Sequence, residues 1–482
     1  MSQGSIRGSP APTFQPAASL AHTDDSMVPM RTLAALAVVV LLPLHAAVVG
    51  TNTPVTPLTA DRIRAELPAS RQRAWLDYLQ RSAAQMAADK AALAAERTGL
   101  TDLPPLPRQG FSGRALRLHA DPAFYRSDDA RRTGDILLSF QTPAGGWSKN
   151  LAFDAPRLHG QSYTTGNLAP TPEMPGDFDQ PKDPSWHYVG TLDNDATNTE
   201  LRFLAELSAA LPGHDGDAYR AAALRGYQYL LRSQYPNGGW PQVWPLEGGY
   251  HDAITFNDDA VIESAETLAK VASGARVTVP AEGSDASSST VEDYTFVPTA
   301  LRQQARLAAR RATDLVLRAQ LRVPAPNGHG TVLTVWAQQY DPLTLIPVSA
   351  RNYEMPALSS GESASAMAYL MSLPHPSPTI VRAVNAAAAW FDSAKIMGYV
   401  WSGGRGTPGG RHLEAVPGAG PLWARYYSLT TGKPIFGDRD KSIHDDVMDI
   451  SPERRNGYAW YGSGESRVLA DYATWKQTHP AS

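Results

Sequence analysis

The 482-residue sequence contains no cysteine. That absence excludes disulfide bonds, cysteine-ligated zinc and thiol nucleophiles, and it leaves the cellular compartment open. Basic residues are not in excess either, because 43 Lys and Arg residues are outnumbered by 47 Asp and Glu residues and the formal net charge is −4. A nucleic-acid-binding protein normally shows a basic excess, so we expect no nucleic-acid partner. An anionic ligand would need positive charge concentrated at one place.

Long apolar runs are almost absent, and the single example lies near the N-terminus. The stretch MRTLAALAVVVLLPLHAAVVG combines a basic residue, an apolar run and small residues near Ala46 and Ala47, which is the layout of a secretory signal peptide. The alternative is a transmembrane anchor, but a proline and a histidine interrupt the run and its length is marginal for spanning a bilayer. We therefore predict a signal peptide at 30–50 and a secreted or periplasmic protein without membrane contact after cleavage. Residues 1–29 are then a non-native upstream extension or a disordered segment.

The rest of the chain has the composition of a globular protein, with 43% hydrophobic and 19% charged residues. Apolar residues at three- and four-residue spacing predict helices in an N-terminal region, 51–114, which ends in the Pro-rich connector TDLPPLPRQG. Residues 115–475 read as one domain. Within it, the low-complexity segment 272–294 is predicted to be a mobile surface insertion.

Several helices of this domain carry start signals. The segment NDDAVIESAETLAKVA has Asn257 as a plausible N-cap, and SPTIVRAVNAAAAWFDSA has Ser377 as the cap with Pro378 at the first helical position. Towards the C-terminus, short aromatic runs such as PLWARYYSL and NGYAWYG lie between turn residues and predict small strands or extended loops.

One local pattern occurs twice. QTPAGGWSKN at 141–150 and QYPNGGWPQV at 234–243 each follow an amphipathic helical segment. Repeated helix pairs joined by Gly-rich turns predict helical hairpins stacked around an axis, an incomplete α/α toroid. We expect Trp147 and Trp240 to be exposed and to line one cleft.

Two acidic clusters precede predicted helices. Asp193 lies in TLDNDATNTE and Asp258 in FNDDA. Carboxylates at helix N-termini commonly cap the helix, and each cluster taken alone is explained that way. If the two clusters meet in a ring of helix ends, their oxygen-only groups would instead suit a hard cation such as calcium.

Four cations, Lys149, Arg351, Arg425 and Arg439, stand next to aromatic and turn residues. A lone arginine is usually a surface charge, but arginine also forms two-pronged hydrogen bonds to carboxylates. Aromatic residues of the same segments could belong to the core or serve as flat platforms for sugar rings. They are Trp147, Tyr163, Trp240, Trp244, Tyr353, Trp423 and Tyr458.

In order along the chain, GGWSKN, TLDNDATNTELRFLA, YPNGGWPQ, ITFNDDA, ARNYEMPALSSGES, PLWARYYSL, PIFGDRD and ERRNGYAWYG resemble the family-10 polysaccharide lyases, which are pectate lyases. The resemblance implies a mainly α-helical, incomplete α/α toroid with a smaller, partly β region towards the C-terminus. It also implies calcium-dependent cleavage of polygalacturonate.

The resemblance assigns roles by motif. Asp193 and Asp258 would be calcium ligands, Arg351 the catalytic base, and Arg425 and Arg439 partners of substrate carboxylates. Lys149 and Trp240 would be further substrate-binding residues. We expect the protein to act as a monomer.

The chemistry sets one requirement. β-Elimination removes the proton at C5 of a uronate, and a calcium ion and arginines on the adjacent carboxylate would stabilise the developing charge. An arginine base must be neutral when it accepts that proton, although its ordinary pKa is above 12. Burial and nearby positive charge would lower the pKa of Arg351.

Three other functions remain compatible with these residues. A terpenoid cyclase also combines an α/α ring with Gly–Trp turns, but it has little use for the arginine set. A toroid-type glycoside hydrolase needs two carboxyls flanking the bond, and Asp258 with Glu362 is the best pair available. A pectin-binding protein would have the same cleft without turnover.

Overall fold

The computed structural model describes residues 48–111, 115–166, 176–280, 289–325 and 327–480. In chain order, the α-helices are α1 (Ala60–Glu66), α2 (Ala69–Arg97), α3 (Asp128–Phe140), α4 (Asn198–Ala210), α5 (Asp217–Ser233), α6 (Ala260–Ser273), α7 (Thr299–Ala319), α8 (Ser360–Ser372), α9 (Pro378–Ala394), α10 (Pro452–Gly457) and α11 (Glu465–Thr478). The break between α1 and α2 falls at Pro68 as predicted. Helix α9 also begins as predicted, since Ser377 Oγ accepts a hydrogen bond from the backbone N–H of Ile380.

Helices α3 to α9 and α11 form two layers. The inner layer runs α4, α6, α8, α11, and the outer layer runs α3, α5, α7, α9, with each helix packed against the next in its layer. Each inner helix from α4 to α8 also packs against the outer helix that follows it in the chain. Helix α4 is buried on nearly every side, whereas the outer helices bury one stripe. This arrangement confirms the predicted incomplete α/α toroid.

The repeated Gly–Trp turns join an outer helix to the next inner segment. The indole Nε1 of each tryptophan donates to a carbonyl near the end of the preceding outer helix: Trp147 to Leu137 at 2.9 Å, and Trp240 to Leu230 at 2.8 Å. Trp336 and Trp423 make the same bond to helices α7 and α9. The joint therefore occurs four times among the described residues, although the sequence pattern is recognisable only twice.

A glutamine directly after each of the outer helices α3, α5 and α7 links that helix to the next outer helix. The Nε2 groups of Gln141, Gln234 and Gln320 each donate, at 2.9 Å, to a backbone carbonyl of the following outer helix. The chain passes so close there that a Cβ at Gly238, whose φ is +102°, would lie 2.3 Å from Arg311 O. Glycine is therefore required by both the backbone conformation and the space.

The N-terminal helices belong to the same compact unit, Ala46–Ser482. In α2, the Trp75 ring lies 5.1 Å from that of Tyr235, and Tyr78 OH donates to Ser233 O at 2.8 Å. These contacts fasten α2 to the turn after α5. No helix within the described residues combines the length and apolarity that crossing a bilayer requires.

The strands are short and form small sheets. They are β1 (Val48–Thr51), β2 (Ile254–Thr255), β3 (Arg276–Pro280), β4 (Ser289–Asp293), β5 (Arg322–Pro324), β6 (Thr331–Leu333), β7 (Gln339–Tyr340), β8 (Leu358–Ser359), β9 (Tyr399–Ser402), β10 (His412–Ala415), β11 (Trp423–Ala424), β12 (Tyr426–Tyr427), β13 (Phe436–Gly437), β14 (Ser442–His444) and β15 (Tyr461–Gly462). The largest sheet has the order β1–β14–β13, and all pairings are antiparallel. The aromatic C-terminal runs contribute β11, β12 and β15, as predicted.

Two predicted segments lie only partly within the described residues. In the segment 272–294, predicted to be a mobile surface insertion, β3 and β4 pair in register from Arg276 with Asp293 to Pro280 with Ser289; residues 281–288 lie outside the described residues. The predicted signal peptide, 30–50, also lies outside them up to residue 47, but 48–50 belong to strand β1. The signal peptide itself stays a prediction.

Candidate active site

The N-terminal ends of the inner helices meet. Helix α4 is preceded by the 3₁₀ turn Asp193–Asp195 and α6 by the 3₁₀ turn Asn257–Asp259, and these turns pack against each other. The middle residue of each turn has a left-handed backbone, with φ of 51° at Asn194 and 49° at Asp258. Non-glycine residues keep this conformation only where the surrounding contacts enforce it.

Neither acidic cluster caps a helix with its side chains. The N-cap residues of α4 and α6 are Thr197 and Asp259, and neither makes a side-chain hydrogen bond to the first turn. The prediction of Asn257 as an N-cap is therefore wrong, because an extra 3₁₀ turn separates it from α6. The capping explanation does not account for Asp193 and Asp258.

Asp193 and Asp258 instead form a carboxyl pair, in which Asp193 is buried and Asp258 is half-buried. Asp193 Oδ1 accepts hydrogen bonds from Gln242 Nε2 at 2.6 Å and Asn257 Nδ2 at 3.3 Å. Asp258 Oδ2 accepts one from the backbone N–H of Asn194 at 3.0 Å. The two acidic clusters thus meet at the helix ends, which is the alternative to capping that the sequence left open.

The two carboxyls have opposite pKa shifts. Burial and the negative charge of Asp193 raise the pKa of Asp258 to about 8. Burial opposes the ionisation of Asp193 too, but the positive charges of Lys149 and Arg351 prevail and lower its pKa. The pair therefore holds one proton near neutral pH. The retained proton means that two negative charges are unfavourable here in the absence of a cation. Because both side chains offer oxygen ligands and can lose that proton, the residues fit a calcium ion.

Lys149 is bound to Asp193. Its ammonium forms an ion pair with Asp193 Oδ2 and lies 4.2 Å from the ring centroid of Tyr188. Only 6% of the lysine side chain is exposed, so its charge acts mainly on Asp193.

Arg425 is a cation that remains partly open to solvent. Its Nη2 lies 2.7 Å from Glu362 Oε1 and donates to Asn257 Oδ1 at 3.2 Å, and its guanidinium lies 4.8 Å from the ring centroid of Tyr458. Burial lowers the pKa of Arg425, but Glu362 and the neighbouring phenols outweigh it and the net shift is upward. Because Glu362 is engaged in this ion pair, it is not a free acid of the kind the hydrolase alternative requires.

Arg351 is held by carboxylates on two sides. Its Nε lies 3.7 Å from Asp179 Oδ2, its Nη1 lies 3.6 Å from Glu354 Oε1, and Nη1 donates to Tyr353 OH at 3.3 Å. Burial lowers the pKa of Arg351, but Glu354 and the phenols raise it well above its ordinary value. The expectation of a lowered pKa is therefore wrong in sign, because the sequence did not reveal these carboxylates.

The polar residues of the site contact one another in a closed loop, which we call the polar ring. In contact order it consists of Arg425, Tyr458, Glu354, Arg351, Asp179, Tyr188, Lys149, Asp193 and Asn257. Among its charged members, Arg351 and Arg425 have the largest exposed side-chain fractions, 23% and 22%. The ring thus presents two guanidinium groups beside the carboxyl pair.

Arg439 lies just outside the polar ring. It forms a two-pronged ion pair with Glu453, at 2.8 and 3.2 Å, and its guanidinium lies 5.4 Å from the ring centroid of Tyr353. Tyr353 is also the phenol that contacts Arg351, so the predicted basic residues Arg351 and Arg439 share one aromatic neighbour.

The prediction that Trp240 is an exposed substrate platform is wrong. Its side chain is completely buried in the joint between α5 and the following segment, as is that of Trp147 in the equivalent joint. The sequence showed the repeat but not its purpose, because a glycine-rich turn can expose a tryptophan or bury it against the helix end.

A residue far from the site in sequence holds the Arg351 loop. Asn52 Nδ2 lies within hydrogen-bond distance of the carbonyls of Arg351, Asn352 and Glu354, at 3.2, 2.9 and 3.2 Å. Asn52 Oδ1 accepts from Ser349 Oγ at 2.6 Å. The segment that follows β1 is therefore part of the site.

The sequence reasoning did not identify Asp179, Glu354 or Asn52. Glu354 was visible as the acidic residue within ARNYEMP, three positions after a predicted base. Asp179 and Asn52 carried no local signal, since they come from loops and reach Arg351 only through the fold.

Comparison with known proteins gives a consistent result. A model of the pectic acid lyase family matches residues 141–469. The structure is similar to a family 10 polysaccharide lyase from Cellvibrio cellulosa, with a TM-score of 0.57 and 30% sequence identity over 73% of this chain and 94% of that chain. It is equally similar to a mutant of that enzyme in complex with trigalacturonic acid, with the same identity and TM-score over 95% of that chain. The search of curated proteins found no match.

Proposed function

Because this chain belongs to the pectic acid lyase family and is a polysaccharide lyase, we propose that it cleaves α-1,4-polygalacturonate by calcium-assisted β-elimination to 4,5-unsaturated oligogalacturonides. The observation that carries the proposal is the polar ring, in which two partly exposed guanidinium groups belong to the same set of contacts as Asp193, one member of the carboxyl pair. A polymer with one carboxylate per sugar requires such local positive charge, since the whole chain has a net charge of −4.

Two arginines would bind the carboxylates of the substrate. Arg425 offers a planar fork for a uronate carboxylate, and Arg439 offers a second one beside Tyr353. In the free protein each already holds a glutamate, Glu362 and Glu453. A substrate carboxylate therefore joins or replaces an existing partner, which favours a polyanion with several carboxylates over a single acid.

Asp193 and Asp258 are the residues that would hold calcium. When bound, the ion would supply positive charge to the substrate carboxylate next to the reacting carbon. Lys149 keeps Asp193 ionised, and the loss of the proton from Asp258 would accompany binding of the ion.

Arg351 is the proposed base. It accepts the proton from C5, the electrons of the C5–H bond form the C4–C5 double bond, and the C4–O bond breaks to release the leaving sugar. Glu354 and Asp179 fix the guanidinium, which gives the orientation that a proton transfer needs. The same carboxylates favour the charged form of Arg351, so the neutral guanidine is a minor species. At pH values below the pKa of Arg351, the neutral fraction grows about tenfold for each unit that the pH rises.

The predicted signal peptide implies that this activity operates outside the cytoplasm, in the periplasm or in the medium. A pectic polymer is an external substrate, so the proposed location and the proposed substrate agree.

The direct test is to mix the purified protein with polygalacturonate and calcium and to follow the ultraviolet absorbance of the conjugated double bond. Elimination creates that chromophore, whereas hydrolysis releases reducing ends without it. Reducing ends without the chromophore would make the protein a hydrolase, and binding without either product would make it a non-catalytic pectin-binding protein.

A further inference from the structure

A second polar cluster lies behind Arg351, on the far side of Asp179. It consists of His187, His251 and Asp179, which are 3%, 3% and 8% exposed, together with Glu247. One ligand atom from each of the first three residues lies within 4.8 Å of the others. Asp179 and His187 come from the segment 176–190, His251 comes from the 3₁₀ turn Gly249–Asp252, and Glu247 lies just before that turn.

Acceptors on the segment 247–248 face the Nδ1 atoms of both imidazole rings. Glu247 Oε1 lies 2.5 Å from His187 Nδ1 and 3.3 Å from His251 Nδ1. Its other oxygen, Oε2, accepts the backbone N–H of Tyr188 at 2.9 Å, which fixes the carboxylate. His187 Nδ1 therefore carries hydrogen towards Glu247, and His251 Nδ1 carries hydrogen towards the Gly248 carbonyl at 3.3 Å, with Glu247 at the same distance. In a neutral imidazole this leaves Nε2 with a free lone pair.

Those two Nε2 atoms face the same oxygen. His251 Nε2 lies 3.3 Å and His187 Nε2 3.9 Å from Asp179 Oδ1. Both Nε2 atoms are buried, and neither makes a hydrogen bond. Asp179 Oδ1 also accepts a hydrogen bond from Tyr250 OH at 2.7 Å. Imidazole lone pairs that face a carboxylate in a buried space repel it unless a proton or a metal ion lies between them.

We propose that His187, His251 and Asp179 form a binding site for a divalent transition-metal ion, distinct from the calcium site. Metal–ligand bonds of about 2.0–2.1 Å in tetrahedral geometry place ligand atoms roughly 3.3 Å apart, close to the separations observed. Two imidazoles and one carboxylate suit zinc and similar ions, whereas calcium prefers oxygen alone. Glu247 is the outer carboxylate that typically orients metal-bound histidines.

An ion at this site would act on Arg351 through Asp179. Asp179 Oδ2 is the oxygen that faces Arg351 Nε at 3.7 Å, while Asp179 Oδ1 faces the histidines. An ion held on Oδ1 would fix the carboxylate plane and, through it, the position of the Arg351 guanidinium. Asp179 would then be a positioning residue that joins the two sites.

The test is metal binding itself, measured on the full chain after stripping with a strong chelator. Zinc is titrated by calorimetry with excess calcium present, and bound metal is counted by mass spectrometry after desalting. Cobalt is added separately, because its visible absorption spectrum reports the ligand geometry. We expect one equivalent of zinc that calcium does not displace, and a cobalt spectrum typical of four-coordinate nitrogen and oxygen ligation.

Variants separate this site from surface histidines. We expect His251→Gln and His187→Gln to lose the stoichiometric zinc, and Glu247→Gln to weaken it by about 10–100-fold. His214→Ala, at a fully exposed histidine, should leave binding unchanged. Circular dichroism checks the folding of each variant, and the wild-type cobalt spectrum decides the question even if a variant does not fold.

Two results would overturn the proposal. The first is a wild-type protein that retains less than a stoichiometric amount of zinc and shows only the spectrum of hydrated cobalt, which would mean that a shared proton fills the space. The second is zinc that calcium displaces, which would assign the binding to the carboxyl pair.

Discussion

Arg425 Nη2 lies 2.7 Å from Glu362 Oε1, so the cation proposed to bind substrate already compensates a buried carboxylate. We expect Arg425→Gln to weaken oligogalacturonate binding and also to lower the free energy of unfolding by about 3 kcal/mol, because Glu362 is left unpaired. Binding by calorimetry and unfolding by denaturant measure the two effects.

The double variant Arg425→Gln/Glu362→Gln separates them. It should recover most of the stability and none of the binding. If stability and binding return together, Arg425 has no direct role in recognising substrate.

Asp258→Asn should raise the calcium concentration needed for half-maximal activity by at least about tenfold, or about 1.4 kcal/mol, because the neutral amide removes one charged ligand. Activity assayed over a calcium series measures this. Asp259→Asn is the matched control, since Asp259 is the next residue and also has a left-handed backbone. Equal effects at both positions would indicate a general disturbance of the turn and not a calcium ligand.

Arg351→Lys should lower turnover by several orders of magnitude while substrate affinity changes little, because proton transfer is felt only in the transition state. The carboxylates Asp179 and Glu354 hold Arg351 charged, and its pKa is raised. The wild-type rate should therefore climb about tenfold per pH unit towards alkaline pH, up to the point of unfolding. Arg439→Lys serves as the comparison and should mainly affect binding. A rate optimum at mildly acidic pH would point to a carboxylate base.

Trp240→Phe should lower the free energy of unfolding by about 1–3 kcal/mol and leave KM unchanged. The variant loses the indole donation to Leu230 O and leaves a small cavity in the joint. Trp147→Phe changes the equivalent joint and should behave alike. Thermal melts and saturation kinetics on both variants measure this, and a raised KM for Trp240→Phe alone would restore the platform interpretation.

Glu206→Gln should change how stability depends on pH. Burial raises the pKa of Glu206 to about 7, above the value of about 4.3 expected in the unfolded chain. The native state therefore binds an extra proton between these values, and stability falls as pH rises through this window. The glutamine variant lacks this loss, so it should gain about 1–3 kcal/mol relative to wild type between pH 4 and pH 8. Denaturant unfolding across this range measures the gain, and the exposed Glu414→Gln should show none.

Some of the fold and site follow from local signals. The caps at Ser377 and Pro378, the break at Pro68 and the two acidic turns each depend on a few adjacent residues, so the sequence predicts them. The orientation of Trp240 does not, because burial against a helix end depends on how closely the next outer helix approaches.

The pKa of Arg351 is a second property that local sequence signals could not predict. Its sign is set by Asp179 and Glu354, and Asp179 comes from a separate loop. The motif indicated that Arg351 is buried. The partners of a buried charge depend on tertiary contacts, however, and these partners set the direction of the pKa shift.

Asn52 is separated from Arg351 by 299 positions, yet its carboxamide reaches the backbone carbonyls of Arg351, Asn352 and Glu354. A shortened protein cut to the limits of the family match, 141–469, would keep every member of the polar ring and still lose this clamp. It would also lose β1, the outer strand beside β14. Boundaries drawn from sequence similarity therefore mark the shared part of the chain and not the smallest piece able to carry out the reaction.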